Sequence, residues 1–581
     1  MNAPANRAPA GGKPLGGPVL DVPVLIAGGG PVGLSLATEL ARRGIACAVV
    51  ETRESETEHP KATLVGARTM ELFRRWGIAG AVEDAAIPPD HPYFIVFATE
   101  LAKHELHRFR SASRAEMRGG ADSHRFPEVD WSPYGKTQIG QQALEPILRS
   151  HLSGYEAAKT FYGWTLTEFT QDASGVEAVI EHRSGARRRV RSRVLVGCDG
   201  GRSVVRKALG VRFVGRGAMR DNVSFLFRCP DFIDVHGRGL ANLYFTLHPD
   251  SFGVFTAIDG SDLWNYQYYF LDPSKSTREL DAADVLAKAV GKPFDFELLK
   301  VTHWKHYQSV ANRWRVGNVF LAGDAAHLFV PTGGLGMNTG IGDAWDLAWK
   351  LDGYLTGWAG EHLLDSYETE RKPIAIRNGL LSAMNSDRLD IVMAETDRAV
   401  LAPGPEGEAA RTELRGKAEW VSRQFNSAGL HLGYRYSRSP ICVADGTPEP
   451  PDDPTRVVQS SWPGCRAPHA WDGEGVSTLD YLGDQFTLVI APDADEAPAE
   501  PLLSAARAAG LPISSARLRT GAAAALFERR YVLVRPDGHV AWRGDTVPAR
   551  PDEVVEVVRG ARPGLLPSVP APVPDRVGST V

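Results

Sequence analysis

Apolar positions change rhythm several times along the chain, and each change predicts an element. Residues 22–28 (VPVLIAG) form a short continuous apolar run, the pattern of a strand buried on both faces. GGGPVG follows at 28–33, then LSLATELARRG at 34–44, with apolar residues at helical spacing and Gly44 as a stop. IACAVVE at 45–51 is a second apolar strand ending in an acid, which completes a βαβ unit. Residues 61–87 read as helical, and QQALEPILRSHL at 141–152 as another helix. Between them, 88–137 has weak periodicity and many turn residues.

Short strands with turns fill 160–198, and 211–304 is strand-rich. NVFLAGDAAH at 318–327 is a strand running into a turn, followed by a helix-rich region at 339–425. From 436 to 468 Pro, Asp, Ser and Gly dominate, as in a linker or wrapping loop. A separate alternation of strands and helices occupies 469–560, before a Pro-rich tail.

At 581 residues the chain is too long for one compact domain. Its 43% apolar and 23% charged residues are ordinary for a globular protein, which excludes disorder as a whole. A formal charge of −5 gives no support for a nucleic-acid binder. The five cysteines are scattered without a C-x-x-C pair, against a disulfide framework or zinc site and consistent with a cytoplasmic location. No apolar run approaches membrane-span length, and the Ala/Gly/Pro-rich first 20 residues read as a flexible leader rather than a signal peptide.

Three motifs carry chemistry. In the first, Gly28 allows a tight turn after the strand, Gly30 a close approach of backbone N–H groups to a pyrophosphate, and Gly33 close helix–sheet packing. The helix N-terminus favours anionic oxygen. Glu51 stands where an acid holds a ribose hydroxyl pair. The second motif is VGCDGGRSVVR at 196–206, the third AGDAAH at 322–327 followed by PTGGLGMN at 331–338. Each places an acid, Asp199 or Asp324, at a strand end beside glycines. Singly, each could be a turn residue or helix cap; together they suggest one extended cofactor touched from several sides.

This set resembles the FAD-dependent aromatic hydroxylases, single-component flavoprotein monooxygenases that include p-hydroxybenzoate hydroxylase. The phenol hydroxylase branch, with its extra C-terminal domain, is the most similar. HPKATLVGARTMELFRRWGI (59–78), QIGQQALEPIL (138–148) and LLDSYETERKP (363–373) also look like family segments. The likeness spans roughly residues 20–560 and implies an α/β fold: a Rossmann-like FAD-binding domain (21–88, 138–210 and 305–435, with a helical extension), an inserted β-rich substrate domain (89–137 and 211–304), a linker (436–468), a thioredoxin-like domain (469–560) and a tail (561–581).

The resemblance further implies FAD contacts at Gly28, Gly30, Pro31, Gly33, Glu51, Arg53, Arg68, Gln141, Asp199, Asp324, Pro331, Gly336, Met337 and Asn338. Two departures stand out: Thr52 separates Glu51 from Arg53, and Lys61 replaces a frequent Arg. On the LWNYQYYF strand, alternation sets Asn265, Gln267 and Tyr269 on one face, and Trp264, Tyr266, Tyr268 and Phe270 on the other. The family favours the Asn265/Gln267/Tyr269 face as the one toward substrate. His327 reads as structural. The implied activity is NAD(P)H-consuming hydroxylation of a phenolic ring, ortho to its hydroxyl, by O2 through a flavin C4a-hydroperoxide, with NADPH favoured by family habit. The same motifs also fit epoxidation, Baeyer–Villiger oxidation, polyketide or antibiotic hydroxylation, or a non-catalytic flavin-fold binder. The C-terminal module, lacking C-x-x-C, is expected to be structural, packing on the flavin domain or forming a homodimer interface.

Overall fold

A computed structural model describes residues 19–55, 62–119, 123–269 and 280–564. Lys61, Phe270 and most of the leader and tail lie outside the described residues. The first sheet is built around Leu20–Ala27, every residue of which from Val24 to Ala27 is buried. Arg187–Gly197 runs parallel on one side and Cys47–Glu51 on the other, with Val319–Leu321 beyond the former and Ala158–Tyr162 beyond the latter. In register, Ala27 lies beside both Gly197 and Val50, and Gly197 beside Leu321. The three motif loops therefore leave the sheet from the same edge, at the carboxyl ends of parallel strands where α/β folds bind ligands. Pro31–Arg42 and Leu335–Thr356 pack on this sheet.

The second sheet has eight strands, ordered His327–Leu328, Glu297–Ala311, Phe213–Arg228, Leu263–Tyr269, Ser251–Ala257, Leu243–His248, Tyr93–Ala98 and Glu105–Ser111. The segment 88–137, weakly patterned in sequence, contributes its last two strands. One face of this sheet is an aromatic core including Phe225, Phe227, Phe255, Trp264 and Tyr266, covered by Ala282–Val290. The other packs Phe97, Phe245, Phe252 and Tyr269 against residues of two long helices, among them Leu389, Val392, Leu414 and Val421.

A third sheet, Ile513–Arg517, Phe486–Ile490, Tyr531–Val534 and Val540–Gly544, has one parallel and two antiparallel pairings. Trp349 of the helix Leu335–Thr356 stacks with Trp358 and meets Phe486 edge-on, so this module shares a core with the first domain. A fully buried ionic cluster reinforces the joint: Arg535 of the module pairs with Glu370 (2.6 Å) and Asp346 (3.1 Å), and Lys350 pairs with both acids. The Pro-rich stretch before the module is exposed or half-buried from Val443 to Gln459 and buried from Ser460 to His469. The region 61–87, expected to be helical throughout, opens instead with Leu64–Val65 paired to Thr137–Gln138. Gly66, extended at φ −75°, then starts the helix Ala67–Trp76, and Gly77 in the left-handed region ends it. Among the described residues, no helix is long and apolar enough to cross a membrane.

Candidate functional site

One cavity of about 640 Å³ runs from the three motif loops to the face of the second sheet. Gly28, Gly30, Pro31, Glu51, Arg53, Gln141, Asp199, Asp324, Pro331, Gly336 and Met337 line its loop end; Asn265, Gln267 and Tyr269 line the sheet end.

The loop end is held open by glycine. A Cβ on Gly28, at φ +106°, would sit 2.3 Å from the Cys198 carbonyl oxygen, so the first two motif loops touch backbone to backbone. Gly30 and Gly336 face open space. Gly33 does not line the cavity; a Cβ there would lie 1.9 Å from the Gly28 oxygen, because the helix packs directly on the turn. The helix Pro31–Arg42 has no side-chain cap, and neither has Leu335–Thr356, which starts from Gly334 in the left-handed region. Two sets of helix N-terminal N–H groups are thus free of side-chain acceptors beside the cavity, a setting that favours anionic oxygen.

The acids are fixed by their neighbours. Glu51, 8% exposed, accepts hydrogen bonds from the Gly29 N–H (2.7 Å) on one oxygen and from the Arg53 N–H (2.9 Å) and Nε (3.1 Å) on the other. Asp199 caps the short helix Val204–Ala208 through one oxygen, which accepts from the N–H groups of Val204 (2.7 Å) and Val205 (3.1 Å). Its other oxygen is buried without a partner. A buried acceptor left unmatched calls for a hydroxyl or N–H from a bound molecule. Asp324 is exposed, on the turn Gly323–Ala325.

Besides Gly33, two expected contacts lie elsewhere. Arg68 is buried in the joint with the C-terminal module: it pairs with Glu71 (2.7 Å), donates to the Asp537 carbonyl (2.6 Å) and lies 4.4 Å over the Trp345 ring. Asn338 is a tie rather than a wall. Its Oδ1 accepts from the Gly66 N–H and the Thr69 hydroxyl, and its Nδ2 donates to the Leu64 and Gly334 carbonyls. Gln141 lines the cavity with its amide donating to Glu145 (2.6 Å). His327, wholly buried, bonds Asp343 (2.8 Å), which also accepts from the Gly323 N–H and pairs with Arg371.

At the sheet end, Asn265, Gln267 and Tyr269 point into the cavity, whereas Trp264 and Tyr266 belong to the aromatic core behind the sheet. Tyr266 is tied there through hydrogen bonds with Thr246 and Ser251. Burial pushes Tyr269 up to about 12 despite Arg220 over its ring, so its phenol stays protonated at neutral pH. Residues not anticipated from sequence complete the wall: Tyr93, Lys136, Phe245, Val254, Thr256, Gln424, Phe425 and Ser427. Gln424, Phe425 and Ser427 sit at a short 3-10 turn after a long helix, where no periodicity marks a lining position. An apolar and aromatic chamber with a few polar groups, continuous with a glycine-framed anion cradle, suits a flat organic molecule beside a phosphate-bearing cofactor.

Comparison with known proteins agrees with this geometry. A family model described as "FAD binding domain" matches residues 21–379, and one described as "Aromatic-ring hydroxylase, C-terminal" matches 460–561. The chain is 34% identical over 573 residues to tetracenomycin B2 monooxygenase-dioxygenase of Streptomyces olivaceus, covering 92% of this chain and 97% of the relative. Among solved structures, the rebeccamycin biosynthetic enzyme RebC with reduced flavin is similar at a TM-score of 0.83 and 36% identity, over 94% of this chain and 100% of RebC. A ternary complex of aklavinone-11 hydroxylase with FAD and aklavinone is similar at 0.77 and 30% identity, over 92% and 98%. On the matched domains and the full-length likeness, the chain belongs to the FAD-dependent aromatic-ring hydroxylases, monooxygenases that act on aromatic compounds.

Proposed function

We propose that the protein hydroxylates a fused-ring phenolic compound, of polyketide or similar origin, at a carbon ortho to a ring hydroxyl, consuming O2 and a nicotinamide nucleotide, with NADPH favoured over NADH. The observation that carries this reading is the single cavity joining the glycine-framed loops to a sheet face bearing Asn265, Gln267, Tyr269, Phe245 and Phe425. The fused-ring substrate class is supported by the similar proteins named for tetracenomycin B2 and aklavinone.

Gly28, Gly30 and Pro31 would cradle the FAD pyrophosphate at the helix N-terminus, and Glu51 with Arg53 the adenosine ribose. Asp199 would meet a cofactor hydroxyl or N–H through its unmatched oxygen, Asp324 the ribityl or pyrophosphate region, and Pro331, Gly336 and Met337 the ring. Bound FAD, once reduced, supplies the activation of dioxygen. The chain's own residues bind and orient the aromatic ring, exclude water with Phe245, Val254 and Phe425, and offer neutral hydroxyls at Tyr93 and Tyr269 as hydrogen-bond donors.

We read the C-terminal module as thioredoxin-like, from its parallel strand pair extended by an antiparallel pair. Its role is packing, because Arg535 and Phe486 are buried against the first domain. Purified yellow protein incubated with hydroxylated anthraquinones and naphthacenes tests the function. Substrate-stimulated NADPH oxidation matched by a product one oxygen atom heavier is expected. Hydrogen peroxide as the sole oxygen product for every fused-ring phenol would overturn the proposal.

A further inference from the structure

The cavity contains a cation that the reading above leaves unused. Lys136 is half-buried and lines the wall one residue before Thr137–Gln138, the ribbon paired with Leu64–Val65. That ribbon borders the third motif: Asn338 binds the Leu64 carbonyl, and a Cβ on Gly334 would press on the Leu64 side chain at 2.8 Å. The Lys136 backbone therefore lies next to the ribbon that borders the third motif, and its ammonium is held at the Phe425–Ser427 turn on the cavity wall.

Its partners are neutral. Nζ donates to the Phe425 carbonyl (2.8 Å) and the Ser427 hydroxyl (3.0 Å), and among the described residues no carboxylate pairs with it. Two of its three protons are used, leaving one donor unassigned. Among the surrounding titratable groups, the counter-charge acting on Lys136 is Glu128, which attracts it through space without pairing with it. His431 is buried, has an unpartnered Nε2, and is pushed down to about 3 by burial and by the Lys136 and Arg377 charges, so it is neutral. Arg377 is engaged with Asp452, and Glu128 acts on Lys136 only through space while accepting from Ser111. Tyr93 and Tyr269 are held protonated by burial. A desolvated charge without a paired opposite charge is costly, and a ligand that brings one relieves that cost.

We propose that Lys136 receives an ionised ring hydroxyl of the substrate, a phenolate or the enolate of a conjugated ketone, and holds it deprotonated. This deepens the function proposed above and rests on it. The hydroxyl O–H bond breaks on binding, its proton passes to solvent, and the electron pair stays on the ring oxygen beside the ammonium. Charge delocalised from that oxygen enriches the ortho and para carbons, where hydroxylation is directed. One free donor on a compact ammonium suits a single oxygen; a carboxylate is better matched by the planar fork of an arginine. Burial lowers Lys136 to about 8, which fits an ammonium awaiting a counter-anion and still charged at neutral pH.

The test titrates holoenzyme with 1,8-dihydroxyanthraquinone, whose colour changes on ionisation, at a pH where the free dye is neutral. Wild type is expected to show the band of the ionised dye, to the red of flavin absorption. Lys136→Met should bind the dye in its neutral form and about tenfold or more weakly, the loss of roughly one charged hydrogen bond. Lys136→Gln can keep hydrogen bonds to Phe425 and Ser427 without the charge, and should behave like Lys136→Met. Binding of 1,8-dimethoxyanthraquinone should be equal in all three proteins, as should FAD content. An ionised band of wild-type strength in Lys136→Gln, or equal dye affinity in wild type and Lys136→Met, overturns the inference and leaves the proposed function standing. Failure of wild-type holoenzyme to bind either anthraquinone overturns the fused-ring reading and the inference with it.

Discussion

At the scale of single residues, backbone clearance decides more than side-chain chemistry. Gly33 has no ligand-facing surface, yet a methyl group there would meet the Gly28 oxygen at 1.9 Å and push the helix off the turn that frames the cavity. Gly33→Ala is expected to lose most of its bound FAD and about 1–3 kcal/mol of stability, the usual range for overpacking. The flavin-to-protein absorbance ratio and the urea midpoint read both effects. Lys136 yields a pH signature. Its lowered pKa means that the ammonium is lost as pH rises through about 8 in the empty enzyme. With His431, Tyr93 and Tyr269 neutral throughout and Glu128 not paired to it, no other neighbour reverses that sign. The KM for a ring-hydroxylated substrate should therefore climb several-fold above that pH in wild type and much less in Lys136→Gln, measured as initial rates across pH.

At the scale of elements, the site depends on ties between segments far apart in sequence. Asn338 makes three hydrogen bonds that fasten the start of the third-motif helix to the segment carrying Leu64, Gly66 and Thr69, and a fourth to Gly334 at the start of its own helix. Asn338→Ala should cost about 2–4 kcal/mol, from several part-buried bonds at roughly 1 kcal/mol each. Looser flavin, seen as increased flavin fluorescence at unchanged protein concentration, should accompany the loss. The strand–glycine–helix motif was legible in the chain because glycine positions follow from the geometry of a tight turn. Alternation likewise separated Asn265, Gln267 and Tyr269 from Trp264 and Tyr266, since side chains on a strand repeat every second residue. The rotation of a helix has no such internal reference. Arg68 sits in a segment with a family-like pattern, yet it turns to Glu71 and the C-terminal module, a partner encoded hundreds of residues away. Lys136 and the Gln424–Ser427 turn were illegible for a related reason: they lie in short irregular segments, and only long-range packing brings them to one wall.

At the scale of the whole molecule, buried charge clamps the C-terminal module onto the flavin domain. Glu71, beside Arg466 (2.5 Å) and Arg68 (2.7 Å), shows the balance: burial alone would raise its pKa, but the two guanidinium groups overcome that and hold it down to about 2. A depressed carboxylate contributes stability above its unfolded pKa and loses it as pH falls toward the folded value. The window here runs from about 4.5 to about 2 and is worth about 3 kcal/mol. Wild type should lose urea resistance steeply below about pH 4.5. Glu71→Gln should start less stable, with two arginines unpaired, and show a shallower slope over the same range. Equal slopes would mean that the joint does not couple to this carboxylate.

The account as a whole requires one cavity in which FAD and a phenolic ring meet out of reach of water, and its most direct test follows oxygen. Holoenzyme supplied with NADPH, a fused-ring phenol and isotopically labelled O2 is expected to give a product carrying a single labelled oxygen, with NADPH consumed in proportion. NADPH oxidation that yields labelled hydrogen peroxide and unchanged phenol, across the fused-ring series, would contradict it.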